Sequence, residues 1–110
     1  MLYEWNGRDL AVARVSTPGL VRASSGSNQG ESEQARAAVF LALGDQLNGS
    51  DLLPLHRSHA PRKGPLSICM HRHDAETVSL SYITVNLNNL LMRYVNGLPC
   101  ESSDISECSL

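Results

Sequence analysis

Five side chains in two short runs are of types that bind metals or act on substrates. They are His56 and His59 in HRSH, and Cys69, His71 and His73 in CMHRH. Zinc takes thiolate and imidazole donors that converge tetrahedrally. On an extended segment, side chains two residues apart share a face, so Cys69, His71 and His73 would point the same way, with His56 or His59 as a fourth donor. The spacing fits no standard zinc module, and His73 falls in the turn beyond the strand. The plainer reading therefore binds no metal or cofactor and has His71 hydrogen-bonded to neighbouring Ser and Thr hydroxyls. As a nucleophile–base pair, Cys69 and His71 would stand roughly 6.5–7 Å apart along a strand. That exceeds hydrogen-bond reach, and no catalytic residue is assigned.

A second group is cationic. His56, Arg57, His59, Arg62 and Lys63 share one stretch, and Arg72 follows the second histidine run. Guanidinium groups recognise phosphate and carboxylate, and Ser24, Ser25 and Gly26 would add hydroxyl and backbone N–H donors. The expected ligand-binding set is thus Ser24, Ser25, His56, Arg57, His59, Arg62, Cys69, His71 and Arg72. A solvated basic loop is the plainer account of the cations, since exposed basic clusters are common. ASSGSNQG lacks both the preceding apolar strand and the lysine of a phosphate loop.

These residues sit in a chain of 110 residues with a formal net charge of −2, which argues against nucleic-acid binding through clustered cations. No apolar run approaches the roughly 20 residues of a membrane-spanning helix, and the opening MLYEWNGRDL lacks the basic and apolar regions of a signal peptide. Three cysteines, an odd number, point to reduced thiols in a cytoplasmic protein rather than a Cys100–Cys108 bridge. With 5% aromatic residues, the core must rest on aliphatic side chains.

The elements that position the candidates follow from periodicity. Asn6-Gly7 favours a hairpin over residues 2–15, pairing Trp5 with Arg8 and Tyr3 with Leu10; both of its faces are apolar, which predicts burial within a layered structure. A helix is expected over 30–43, opened by Asn28 and Glu31 as a capping box and stopped at Gly44. Its buried stripe would be Ala35, Ala38, Val39, Ala42 and Leu43. Residues 45–65 read as a long connection. Strands are expected at 66–71, 77–87 and 90–95. His71 would pair with Thr77, placing Ser67, Cys69, His71, Thr77, Ser79 and Ser81 on one polar face. An Asn88-Asn89 turn would pair Val85 with Met92. Residues 1–100 then form a single α+β domain, mostly antiparallel, with about five strands in hairpins and one amphipathic helix. Residues 101–110 would be a flexible acidic tail.

The stretch 56–100 carries Gly64-Pro65, Ser67, Cys69-Met70-His71-Arg72, Asp74-Ala75, Thr77-Val78-Ser79, Met92-Arg93-Tyr94 and Pro99-Cys100 in order. This pattern resembles the C-terminal segment of the NRDE family, related to the transport and Golgi organisation proteins. LYEWNGRDL and ASSG are similar to the middle of such proteins. The resemblance implies an N-terminal-nucleophile hydrolase-like αββα sandwich, of which this chain would supply part. In such folds an N-terminal cysteine attacks an amide with its own amine as base. Here position 2 is Leu2, and Asn6-Gly7-Arg8-Asp9 is a turn rather than the family's naming stretch. The expectation is a non-catalytic C-terminal portion or degenerate member that self-associates or packs on a complementary N-terminal half. A small anion-binding module and a structural zinc-binding domain are the alternatives.

Overall fold

The computed structural model describes residues 1–15, 19–23, 28–43 and 52–109. Five antiparallel strands and one main helix make an α+β fold with two small sheets. Strands β1 (Leu2–Trp5) and β2 (Leu10–Ala13) form the first; β3 (Ser79–Asn86), β4 (Asn89–Asn96) and β5 (Ile105–Ser109) form the second, in that order. The helices are α1 (Gln29–Leu43) and the short α2 (Leu53–Arg57).

The β1–β2 hairpin closes through side-chain chemistry. Asn6 Oδ1 accepts from the N–H groups of Arg8 and Asp9, both at 2.8 Å, while Gly7 takes φ +98°. This four-residue loop pairs Trp5 with Leu10 and Tyr3 with Val12, two positions from the expected register. A shift of two preserves the faces, so Tyr3, Trp5, Leu10 and Val12 share one. All four are exposed, which corrects the expectation of a hairpin inside a layered structure.

In α1, Asn28 lies in the left-handed region (φ 56°), and its side-chain amide donates to the Glu31 carboxylate at 3.1 Å. The expected pair is in contact, but Asn28 does not cap a backbone N–H through its side chain. The inward face keeps only part of the expected stripe. Ser32 is buried and Arg36 and Phe40 turn inward; of the expected stripe Ala35, Val39 and Leu43 are half-buried, whereas Ala38 and Ala42 are exposed. The aromatic ring buries more apolar area than an alanine, and Arg36 Nε donates to the Ser67 carbonyl at 3.2 Å. Gly44 lies outside the described residues.

The hairpin β3–β4 turns at Leu87-Asn88, with Asn86 Oδ1 accepting from Asn88 N–H at 3.1 Å. Val85 therefore faces Leu90 and Ile83 faces Met92. Residues 105–109, expected to be a flexible tail, pair with β4: Val95 opposes Ile105 and Met92 opposes Cys108. The fully buried Val95 lies on one face of this sheet, while Ile83, Val85 and Tyr94 stand exposed on the other. Among the described residues the buried apolar side chains of the core are few: Ala23, Leu55, Cys69 and Val95, joined by Pro99. No helix among the described residues is long and apolar enough to cross a membrane.

Candidate metal centre

Residues 66–71 form no strand. They fold into a compact turn organised by Ser67, which is fully buried. Its hydroxyl proton lies between the Gly64 carbonyl (2.7 Å) and the Cys69 carbonyl (2.6 Å). The N–H groups of Ser67 and His71 both return to Gly64 O, at 3.3 and 3.1 Å. A buried hydroxyl satisfied by carbonyls of its own segment competes with a sheet ladder, and here it prevails. The alternation in LSICMH thus reports a turn whose polar members face inward: Ser67 and Cys69 are fully buried, while Leu66, Ile68 and Met70 are half-buried.

Three further connections fix this turn. Cys69 N–H donates to Ser58 O at 3.0 Å, drawing in the segment that leaves α2. Met70 bonds Thr77 twice, through Thr77 N–H to its carbonyl (3.0 Å) and from its own N–H to Thr77 Oγ1 (2.9 Å). His71 consequently bridges Glu76 rather than the expected Thr77. From the other direction, β4 ends at Gly97 (φ +87°), a conformation that favours glycine. The following turn, with Ser102 N–H on Leu98 O at 2.8 Å, buries Pro99 and delivers Cys100.

Four donor atoms meet where these segments converge. His59 Nε2 and His71 Nε2 are 3.1 Å apart. Cys100 Sγ lies 3.5 Å and Cys69 Sγ 3.9 Å from the same His71 nitrogen. All four ligand atoms fall within 4.8 Å of one another. The imidazoles meet edge to face, with centroids 4.9 Å apart and planes at 67°. In a tetrahedral zinc site the bond lengths set donor separations of about 3.4 Å for N···N, about 3.6 Å for N···S and about 3.8 Å for S···S. The three separations around His71 Nε2 lie within about 0.4 Å of these values, and the set as a whole stays within 4.8 Å, looser than the closed polyhedron. The Glu76 carboxylate lies 4.0 Å from the other ring nitrogen of His71, beyond hydrogen-bond reach but on the side where a ligating imidazole commonly takes an orienting partner. Burial, reinforced by the Cys100 thiol beside it, pushes the Cys69 thiol up to about 11. A metal ion reverses that balance by stabilising the thiolate. All three cysteines are free.

The remaining expected site residues lie elsewhere. His73 is almost fully exposed, 3.9 Å from Asp74. His56 is half-buried against α1. Arg57 Nη2 donates to Ser102 O at 2.9 Å, and its Nε is buried without a partner among the described residues. Arg72 forms a two-pronged pair with Asp74 at 2.9 and 3.2 Å. Arg62 is exposed, and Ser24 and Ser25 lie outside the described residues. The fourth donor, Cys100, escaped the sequence reading. Its signal lay in the hairpin: pairing Ser79 with Asn96 brings the residues just before β3 beside those just after β4.

No protein-family profile, curated protein or solved structure matches the chain.

Proposed function

We propose that this chain is a zinc-binding domain in which His59, Cys69, His71 and Cys100 hold a structural ion. The observation that carries this reading is the convergence of four donor atoms, from three separate segments, within 4.8 Å. Two thiols and two imidazoles converging on one point suit zinc among the common metals. Four protein ligands leave no open position, which distinguishes a structural centre from a catalytic one. A small aliphatic core also gains from such a cross-link, as small domains with limited burial commonly do. Metal analysis of protein purified without an affinity tag tests the reading. About one equivalent of zinc is expected for a four-ligand site, and less than half an equivalent overturns the proposal.

A second reading concerns the surfaces. The exposed apolar faces around Trp5 and Val85 support the view of this chain as a non-catalytic part of an NRDE-like layered assembly. Sedimentation of the purified chain tests it. Self-association abolished by Val85→Lys or Trp5→Lys is expected, and a monomer at high concentration counts against it.

A further inference from the structure

A cavity of about 320 Å³ lies between α1, α2 and residues 20–22, apart from the four-donor cluster. Leu20, Phe40, Leu55 and Ile68 contribute an apolar lining, and every charged group on the wall is an arginine. The two arginines differ in how they are compensated. Arg22 is held by two carboxylates, Glu33 at 2.7 Å and Glu4 at 3.0 Å. Among the described residues Arg36 has its Nε bond to the Ser67 carbonyl and no carboxylate partner. Burial lowers its pKa. A part-buried guanidinium with no carboxylate among the described residues is a favourable partner for an anion entering the cavity. His56, kept neutral by burial, adds a polar group to the same wall.

We infer that this cavity binds a small monocarboxylate with an apolar body, the carboxylate pairing with Arg36 and the body resting on Phe40, Leu55 and Ile68. The volume sets the ligand's size. At about 30 Å³ per water-sized group, it holds about ten non-hydrogen atoms, the size of a medium-chain fatty acid. The charge sets its class: a neutral amphiphile of equal length leaves Arg36 unpaired, and inorganic phosphate leaves the apolar wall uncovered.

The test is an amide-resolved NMR titration of the intact chain with octanoate, 1-octanol and inorganic phosphate. Octanoate should produce saturable shifts at Arg36, Phe40 and His56, with 1-octanol and phosphate binding at least about tenfold more weakly, as the loss of one charge-assisted contact dictates. Arg36→Met should weaken octanoate by about 10- to 100-fold, whereas Arg36→Lys, which keeps the charge, should lose less. Arg8→Met, in the exposed β1–β2 turn, should leave binding unchanged. Circular dichroism identifies any variant that fails to fold, and the wild-type ligand comparison stands without the variants. No saturable shift with low-millimolar octanoate, equal binding of 1-octanol, or an unaltered affinity in folded Arg36→Met overturns the inference.

Discussion

Replacing Cys100 with serine removes one of the four donors while touching little else. Cys100 is only partly buried and lies in a turn closed by its neighbours' backbone groups, Glu101 and Ser102 on Leu98 O. The metal-free fold should therefore change little. Structural zinc in small domains binds with an apparent free energy of about 10–16 kcal/mol at pH 7, so an equal share for one donor is about 2.5–4 kcal/mol. At about 1.4 kcal/mol per tenfold, Cys100→Ser weakens zinc by about 10²–10³-fold. Competition against a chromophoric chelator measures this, and cobalt substitution reports independently on thiolate ligation. Zinc at a hundredfold its Kd should also stabilise the wild type by about 2.7 kcal/mol, a rise in melting temperature of about 10–20 °C for a domain of this size. His73→Ala is the control, because that ring is almost fully exposed and stands outside the four-donor set. Equal zinc affinities for Cys100→Ser and wild type, or an equal loss in His73→Ala, would refute the ligand assignment.

Other outcomes follow from single contacts. Val95→Ala empties a fully buried position between Leu80 and Ile105 and should cost about 2–3 kcal/mol, read as a lower urea midpoint with unchanged slope. Burial holds His56 below its ordinary value of 6.5. The unfolded chain therefore takes up that proton near pH 6.5 while the folded chain does not, so stability falls as pH drops through that point and levels off below the folded pKa. Urea titrations of metal-free protein should show this fall to be smaller in His56→Gln, and an identical pH dependence in the variant contradicts the assignment. Arg93 bonds Glu107 at 2.6 Å, but both side chains are substantially exposed. Glu107→Gln should leave the thermal midpoint almost unchanged, and a clear loss of thermal stability would mean that β5 is held by that pair rather than by its ladder.

Much of the fold is legible in periodicity because helix and hairpin signals are local. The helix over 29–43 and the β3–β4 hairpin both follow from patterns within their own segments. The details that failed depend on side chains acting on the backbone. Asn6 and Asn86 each capture nearby N–H groups and move a turn, which shifts the register by two and leaves the faces intact. Ser67 captures carbonyls and converts an apparent strand into a turn. Strand β5 is polar and carries only Ile105 as an apolar anchor, so its signal is the open edge of β4 rather than its own composition. Of the site, Cys69, His71 and His59 were legible from residue type, whereas Cys100 required the hairpin to be closed first. His73 dropped out because the bridge to Glu76 places it in an exposed turn.

The chain has one tryptophan, Trp5, on the open face of the β1–β2 hairpin. Its ring is already largely in water, so its fluorescence changes little when the rest of the chain unfolds. An intrinsic-emission melt would follow the hairpin alone and underestimate the cooperativity of the three-stranded sheet. Zinc added to the four-donor site should leave that signal flat. The same blindness makes Trp5 a selective reporter, because a blue shift of its emission means that another surface has covered the hairpin.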